Sequence, residues 1–475
     1  MEKPSIEGFF RPHSVAVLGA SGTPGKAGYN VTFNLRNARV KGGVHPVNPN
    51  RDEILGFRAV GSLDELSSSA RPLDLVVVCL PPEMVGDALD ACIQADAKRI
   101  VLESGQFAET PRKAREVQDD LKQKLAAMDS PPRVMGPNSI GVVDLETWVN
   151  TSLIPFERLP DPQLPGVALV GQTGLIASGY LQRIFAERTF PVSKVCCLGN
   201  KFDVDEVDLL EFLADDPSTS VVALYLEDVR RGRRFLEAAR KCSSAKPVVV
   251  LKSARSSAGA RAASSHTGSL AGDDRLFDAA LSSAGAVRVA DFEELFRQAQ
   301  FFQRAGVPRG NRVAVVSITG AGCVLSADAT SGTSLRLAPF EGSEREKLAE
   351  IFPQWFEFDN PLDLWAAIER VGPEEAYRRA IDASFARHDA VVVVNLAMPE
   401  SVMDWGHLAS AKAENPRKPL VLVLLGGQSE MVHDWKRRCA SLGVPVVKSP
   451  DHAISCLMKA WKHAEWLRRD AGFRL

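Results

Sequence analysis

The 475-residue chain lacks several features that mark whole classes of protein. Its eight cysteines form no CxxC pair and show no metal-site spacing, a pattern typical of reduced, buried thiols. The formal net charge of −2 provides no basic surface for nucleic acid. No run of about 18 apolar residues occurs, and the start lacks the apolar stretch of a signal peptide. The composition therefore predicts a cytoplasmic, multidomain α/β protein that binds neither nucleic acid nor a membrane.

Valine-rich strands alternate with helical segments along the whole chain. Strands that run into glycine turns recur near residues 15, 167 and 313. Alternating strands and helices fold into parallel, doubly wound sheets. The sequence therefore predicts an α/β protein with three consecutive Rossmann- or flavodoxin-like parallel-sheet domains. Their expected bounds are 1–145, 166–306 and 311–475, with a proline-rich linker at 146–165.

The first of these strands ends in Gly19-x-x-Gly22-x-x-Gly25, and a helical segment follows. Glycines let a backbone approach a phosphate, and a helix N-terminus supplies free N–H groups. The spacing differs from G-x-G-x-x-G, which argues against a Rossmann dehydrogenase and leaves a plain strand–helix turn as an alternative to phosphate binding. Ligands of such sheets bind at the carboxyl ends of the strands. The residues expected there are Ser21, Pro49, Pro81, Ser104 and Asn138.

The second predicted sheet carries polar groups at the ends of its strands. Gly171-Gln-Thr-Gly174 places two glycines and a hydroxyl at a helix start, and a later strand ends in Glu227. The strand at 247–252 leads into a loop of small residues, 257–272, with His266 near its centre. A carboxylate beside an imidazole fixes its tautomer and stabilises its cation. We expect one edge of the sheet to gather Gln172, Thr173, Glu227 and His266.

His266 is open to several interpretations. A metal site would need further ligands, and no second histidine or cysteine is near it in the sequence, so we expect no metal. A serine hydrolase would need a G-x-S-x-G elbow, which the chain lacks. The residues alone leave nucleophilic or phosphoryl chemistry and a structural histidine both open. Four other histidines stand near charged residues and are expected to be solvated: His388, His407, His433 and His463.

Over nearly its whole length the chain resembles the NDP-forming acyl-CoA synthetases, the ADP-forming acetate–CoA ligase relatives of succinyl-CoA synthetase. The most specific parts of the resemblance are Gly136-Pro-Asn-Ser-Ile-Gly141 and Ser265-His-Thr-Gly-Ser-Leu-Ala-Gly272. The other motifs that carry it are Ser104-Gly-Gln-Phe-Ala-Glu109, Gly171-Gln-Thr-Gly174, Gly199-Asn-Lys-Phe-Asp-Val-Asp205 and Tyr225-Leu-Glu227.

The resemblance implies that the first domain binds coenzyme A rather than a dinucleotide. His266 would match the family's phosphorylated histidine, and Glu227 the carboxylate that orients it. The helix starts that receive the phosphoryl group would be Gln172, Thr173 and Gly174, and Gly320, Ala321 and Gly322. The residues near CoA would be Ser21, Gly22, Thr23, Pro24, Lys26, Asn48, Pro49, Pro81, Ser104 and Asn138.

The implied reaction joins a small carboxylic acid to CoA with ATP, giving acyl-CoA, ADP and phosphate through phosphohistidine and acyl phosphate. No ATP-grasp domain is among the three predicted domains. The resemblance therefore implies an α-type subunit, with ATP or ADP and Mg²⁺ bound by an ATP-grasp β-type partner in a hetero-oligomer. Two positions depart from the family: Gly171 replaces a serine, and Cys323 follows an altered Gly-Ala-Gly turn. The alternative is a CoA-binding regulatory or scaffold protein with a degenerate ligase site.

Overall fold

The computed structural model describes residues 4–66, 72–104, 120–261 and 273–470. These residues belong to two compact units. The first unit comprises 1–187 and 191–295 and carries two central sheets. The second comprises 188–190 and 296–475 and carries a third. In the described part of the chain, no helix combines the length and the apolar composition needed to span a bilayer.

The first sheet consists of parallel, valine-rich strands. Its strands are β1 (Val15–Leu18), β2 (Val44–Val47), β5 (Leu75–Val78), β6 (Arg99–Leu102) and β7 (Arg133–Met135), and a hairpin of β3 (Glu53–Ile54) and β4 (Phe57–Arg58) follows β2. The strand order is β2-β1-β5-β6-β7. The helices are α1 (Ala27–Asn34) and α2 (Val85–Gln94). Every residue of β5, β6 and β7 is buried, as near-continuous apolar runs in parallel sheets require.

The second sheet is parallel apart from two strands at one edge. Its strands are β8 (Val142–Asp144), β9 (Val149–Asn150), β10 (Gly166–Gly171), β11 (Val192–Cys197), β12 (Thr219–Leu226), β13 (Val248–Lys252) and β14 (Val287–Val289). The order is β14-β13-β12-β10-β11-β8-β9, with β8 and β9 antiparallel. A π-helical turn (Ile176–Tyr180) precedes α3 (Leu181–Glu187), and the later helices are α4 (Glu206–Asp215), α5 (Gly232–Ala245) and α6 (Asp274–Ser283).

The chain leaves the first sheet earlier than the predicted bound at 145 suggests. Strand β8 lies before that bound, yet it pairs with β11 of the second sheet. Ser139 fixes the crossing, because its hydroxyl donates to the carbonyl oxygen of Cys197 at 2.5 Å. Buried side chains from both sheets then form one hydrophobic cluster. The exact domain bounds stay predictions.

The third sheet, in the second unit, is entirely parallel. Its strands are β15 (Arg312–Ser317), β16 (Arg336–Leu337), β17 (Leu362–Asp363), β18 (Ala390–Ala397), β19 (Leu420–Gly427) and β20 (Val446–Val447). The order is β16-β15-β18-β19-β20, and β17 also pairs with β15. The helices are α7 (Phe292–Ala305), which carries the chain into this unit, α8 (Gly320–Thr330), α9 (Gly342–Ala349), α10 (Trp365–Val371), α11 (Pro373–Arg387), α12 (Trp405–Glu414), α13 (Ser429–Ser441) and α14 (Pro450–Asp470).

Three parallel-sheet assemblies therefore follow one another along the chain, which confirms the predicted α/β fold class. Residues 120–126 are also helical, and short 3-10 turns lie between the larger elements. They span Ile6–Phe9, Leu35–Asn37, Leu63–Glu65, Pro82–Met84 and Pro399–Ser401.

Candidate functional site

Two glycines hold the turn after β1 tightly against its surroundings. Gly19 has φ +86°, and a Cβ there would lie 2.7 Å from the carbonyl oxygen of Cys79. A Cβ on Gly28 in α1 would lie 2.0 Å from the carbonyl oxygen of Gly19. By contrast, no atom lies within 4 Å of a Cβ built on Gly22. The turn thus presses α1 onto β1 while leaving its own tip open, as a phosphate-binding turn requires.

Hydrogen bonds link the ends of neighbouring strands along this edge. The Asn48 amide donates to the carbonyl oxygen of Ala20 at 2.7 Å. The Ser104 hydroxyl donates to the carbonyl oxygen of Leu80 at 2.6 Å, and the Asn138 N–H donates to the carbonyl oxygen of Ser104 at 3.1 Å. The carboxyl ends of all five strands therefore contribute residues to one edge, as expected.

The remaining residues predicted to contact CoA lie around the same edge. The Thr23 N–H donates to the Ser21 hydroxyl at 3.1 Å, and Lys26 occupies the N-cap position of α1. Most of this group is exposed and accessible to a ligand: Gly22, Thr23, Pro24, Lys26, Pro49, Pro81 and Asn138.

A buried carboxyl group lies at this edge that the sequence analysis did not single out. Glu103, directly after β6, is 4% exposed. The Cys79 thiol donates to Glu103 Oε2 at 3.2 Å, whereas Oε1 has no partner among the described residues. Burial raises the pKa of both Glu103 and Cys79, which favours the neutral form of each group. In the sequence, the available sign of this buried group is a charged residue directly after an apolar strand.

The Gly136-Pro-Asn-Ser-Ile-Gly141 loop packs against the turn that follows β11. The Asn200 N–H donates to the carbonyl oxygen of Pro137 at 2.9 Å, and the Phe202 N–H donates to that of Gly136 at 2.9 Å. Gly199 has φ +56°, and a Cβ there would lie 2.2 Å from the Pro137 oxygen. Only glycine fits this crossing, which joins the edge of the first sheet to that of the second.

Glu227 follows β12 at the carboxyl edge of the second sheet and is buried. The Gln172 side chain accepts hydrogen bonds from the N–H of Glu227 at 2.6 Å and from the N–H of Asp228 at 3.1 Å. Its Nε2 donates to Asp228 Oδ1 at 2.9 Å. From β13, Lys252 Nζ donates to the carbonyl oxygen of Glu227 at 2.8 Å. The structure therefore brings Gln172 and Glu227 together and fixes the backbone of the carboxylate on both sides.

A buried ammonium group supports this arrangement. Lys201 has no exposed side-chain surface, and its Nζ lies 2.5 Å from Asp228 Oδ1 and 3.0 Å from Glu206 Oε2. Burial acts to raise the pKa of Asp228, but Lys201, Arg230 and Gln172 together outweigh it, and the net pKa is lowered. Burial raises the pKa of Glu206 despite the same lysine. Sequence reasoning noted these residues only as parts of motifs.

The helix start after β10 is partly open. The Leu175 N–H donates to the Thr173 hydroxyl at 3.2 Å. A Cβ on Gly174 would lie 2.0 Å from Ile140 Cδ1, so this glycine permits close packing. A Cβ on Gly171 would lie 2.7 Å from Ile176 Cδ1, the mobile end of a side chain. Glycine in place of the family's serine therefore gives Ile176 room to pack here.

The phosphoryl-carrying residue of the sequence analysis, His266, lies outside the described residues. The chain can be followed from β13 through a helical turn at 257–261. Strand β13 pairs with β12, whose end carries Glu227. In the described part of the chain, no cluster of three or more His, Cys, Asp or Glu side chains is arranged to hold a metal ion.

In the second unit, Gly320, Ala321 and Gly322 begin α8. A Cβ on Gly322 would lie 2.3 Å from the Ser317 hydroxyl oxygen, so the glycine is needed for packing. A Cβ on Gly320 would lie 3.1 Å from Asp363 Oδ2, which puts a carboxylate beside the helix start. Burial raises the pKa of Cys323 to about 12, which keeps this residue a thiol.

Two of the four histidines expected to be solvated are buried. His388 has no exposed surface, and its ring nitrogens lie 3.1 Å and 2.9 Å from the carbonyl oxygens of Ser384 and Ala338. His463 is 3% exposed. The prediction was wrong for both, since charged neighbours in sequence do not report where a side chain points.

Two known domain families match successive parts of the chain. Residues 13–144 match the CoA binding domain, and residues 165–302 match the succinyl-CoA ligase like flavodoxin domain. Together with the two carboxyl edges described above, this order of domains defines a CoA ligase of the succinyl-CoA synthetase type.

Individual relatives narrow this class. The chain is 32% identical to the acetate–CoA ligase [ADP-forming] I subunit alpha of Pyrococcus furiosus, over 97% of this chain and 98% of the relative. It is also 32% identical to the acetate–CoA ligase [ADP-forming] II of Archaeoglobus fulgidus, over 97% of this chain but 67% of the relative. The dinucleotide forming acetyl-coenzyme A synthetase 1 of Ca. Korarchaeum cryptofilum, solved with phosphate and ADP, has a TM-score of 0.86 at 25% identity and covers 99% of this chain and 100% of its own.

The chain belongs to the family of ADP-forming acetate–CoA ligases. It is an acid–thiol ligase, and it matches the α subunits of that family nearly end to end. The expected enzyme class and the expected use of CoA are thereby confirmed. The regulatory alternative is not favoured.

Proposed function

We propose that this chain is the α-type subunit of an ADP-forming acyl-CoA synthetase in which His266 carries the phosphoryl group. The observation that carries the proposal is Glu227, a buried carboxylate whose N–H is bound by Gln172 and whose carbonyl oxygen is bound by Lys252. A carboxylate fixed in this way can hold one imidazole nitrogen and leave the other free to attack.

The proposed reaction runs through three displacements. An imidazole nitrogen of His266 attacks the γ-phosphorus of ATP, and the P–O bond to ADP breaks. A carboxylate oxygen of the acid then attacks the phosphohistidine, which breaks the N–P bond and forms an acyl phosphate. Finally the CoA sulfur attacks the acyl carbon, forming the thioester and releasing phosphate, while the thiol proton passes to solvent or to phosphate.

Positioning and charge stabilisation provide most of the catalysis of phosphoryl transfer. We assign this role to the N–H groups of Thr173 and Gly174 and, in the second unit, to the start of α8. The CoA phosphates would bind the open turn after β1, where Gly22 leaves room and Lys26 adds a positive charge.

The partner in this proposal is an ATP-grasp β-type subunit that binds ATP or ADP with Mg²⁺. The Archaeoglobus fulgidus relative is longer than the matched region, whereas the Pyrococcus furiosus relative is named as a subunit. We further propose that the two subunits form a hetero-oligomer and that the acyl donor is a small carboxylic acid. We place it in the cytoplasm.

Labelling with γ-³²P-ATP tests the proposal. The chain is incubated with an ATP-grasp partner, Mg²⁺ and labelled ATP, and acid-labile, base-stable label is measured. We expect label on the wild type, none on His266→Ala, and about 100-fold slower labelling of Glu227→Gln. Glu211→Gln, which changes an exposed carboxylate on α4, serves as the control and should label normally. Equal labelling of wild type and His266→Ala would refute the phosphohistidine.

A further inference from the structure

Lys201 occupies a position in which a lysine needs a specific reason to be present. Its ammonium is completely buried, and a buried charge is tolerated only when it is paired and hydrogen-bonded. The group meets that condition, because Asp228 Oδ1, Glu206 Oε2 and the Asp228 carbonyl oxygen lie 2.5, 3.0 and 2.8 Å from Nζ. The left-handed backbone of Lys201, at φ +52°, belongs to the turn that brings the side chain here.

These contacts join three neighbouring strands of the second sheet at their carboxyl ends. Lys201 comes from the turn after β11, Gln172 follows β10, and Asp228 follows β12. Asp228 is the shared partner, since its Oδ1 accepts from both Lys201 and Gln172. Arg230 Nε lies 3.3 Å from the other carboxylate oxygen. The group consisting of Lys201, Gln172, Asp228 and Glu206 is called the Lys201 cluster below.

The Lys201 cluster includes Asp228, which directly follows the proposed orienting carboxylate, Glu227, in the chain. Gln172 Oε1 accepts from the N–H groups of Glu227 and Asp228 together. Its Nε2 is held by the carboxylate that Lys201 neutralises. One side chain, Gln172, therefore links the Asp228 carboxylate to the backbone of Glu227.

We infer that Lys201 is a positioning residue for Glu227. The inferred role is indirect: Lys201 fixes the end of β12 through Asp228 and so the direction of the Glu227 side chain. This inference rests on the proposed role of Glu227. Displacing a catalytic group by about 1 Å can slow a reaction about 100-fold, so even a small relaxation of the cluster would be measurable.

The chain offers a matched control on the same strand system. Lys194 in β11 is also buried, and its Nζ lies 2.9 Å from Asp216 Oδ2 and 2.6 Å from the Ser218 hydroxyl. Asp216 and Ser218 precede β12, so this group lies at the opposite end of the strand from Glu227. Lys201→Met and Lys194→Met each remove one buried ammonium, but only the first touches the proposed site.

The test measures single-turnover labelling of His266 and steady-state kinetics below the melting temperatures of both variants. We expect Lys201→Met to lower the labelling rate and kcat about 100-fold with KM for CoA unchanged, and Lys194→Met to change them less than about threefold. Lys201→Arg keeps the charge, and its labelling rate should be at least tenfold higher than that of Lys201→Met. Equal rates for the two methionine variants would overturn the inference.

Two further measurements keep the result decisive. If Lys201→Met does not fold, Asp228→Asn removes the charge partner with its shape retained, and it should slow labelling in the same way. Crystal structures of the variants report directly on Glu227, whose carboxylate should move in Lys201→Met but not in Lys194→Met. If even the wild type takes up no label, the proposed function fails, and an unmoved Glu227 in the Lys201→Met crystal then overturns this inference separately.

Discussion

Replacing Gly199 with alanine perturbs the contact between the two edges of the first unit. The new Cβ would lie 2.2 Å from the Pro137 carbonyl oxygen and 2.7 Å from that of Asn138, and both are backbone atoms that cannot rotate away. The loop and the turn must therefore separate. Two hydrogen bonds cross this contact, from the N–H groups of Asn200 and Phe202.

The expected cost follows from three contributions. Alanine at a left-handed φ of +56° costs about 1–2 kcal/mol. Each of the two crossing hydrogen bonds contributes about 1 kcal/mol. Together they lower the free energy of unfolding by about 3–4 kcal/mol, which for a unit of this size corresponds to a melting temperature roughly 5–7 °C lower.

The control for Gly199→Ala is Gly56→Ala. Gly56 also has a left-handed φ, +85°, but nothing lies within 4 Å of its Cβ position, so only the backbone contribution of about 1–2 kcal/mol applies. Thermal unfolding of both variants, followed by calorimetry, separates the cost of the left-handed backbone, which both share, from the cost of the steric clash, which only Gly199→Ala has. Equal melting temperatures for the two variants would refute the assignment of this contact to Gly199.

Two further predictions concern the edge of the first sheet. In Gly28→Ala, the new Cβ would lie 2.0 Å from the Gly19 carbonyl oxygen and force α1 away from it, so CoA affinity measured by calorimetry should fall at least about tenfold. The control is Gly86→Ala in α2, where the new Cβ meets nothing within 4 Å and should stabilise the protein by about 0.5–1 kcal/mol. Unchanged CoA binding by Gly28→Ala would contradict this prediction. Burial raises the pKa of Glu103 above the ordinary value of 4.5, so the folded chain binds a proton that the unfolded chain has lost, and stability is full below about pH 4.5 and falls as pH rises through the folded pKa. As pH rises above about 4.5, the free energy of unfolding of Glu103→Gln should therefore increase relative to that of the wild type, by about 1.4 kcal/mol for each pH unit up to the folded pKa. Unfolding of both proteins is measured from about pH 5 to pH 8, and parallel pH profiles would show that the carboxyl group does not titrate in this way.

Much of the fold could be predicted because its signals are local. A buried parallel strand such as Val248–Lys252 is a short apolar run, and the glycine turns that follow such strands mark their carboxyl ends. Those ends meet at one edge for topological reasons, so Glu227 and Gln172 could be expected together before any distance was known.

What sequence could not supply depends on distant partners. The inward direction of the Lys201 ammonium depends on Asp228, which lies 27 residues away in the chain, as well as on the nearby Glu206. His388 is buried because a carbonyl 50 residues away, that of Ala338, lies beside its ring. Strand β8 leaves the first sheet because Ser139 bonds to a strand that comes 58 residues later. Each case depends on at least one tertiary contact that no local pattern encodes.

The three residues of the predicted phosphate site, Gln172, Thr173 and Gly174, differ in the hydrogen bonds that they make. The Gln172 N–H donates to the Tyr225 carbonyl oxygen at 3.2 Å, and its side chain is committed to Glu227 and Asp228. In the described part of the chain, the N–H groups of Thr173 and Gly174 have no such commitment. In the proposed function, consecutive residues would thus anchor the carboxylate and receive the phosphoryl group, so we expect a shift at the end of β10 to misplace both partners of the transfer at once.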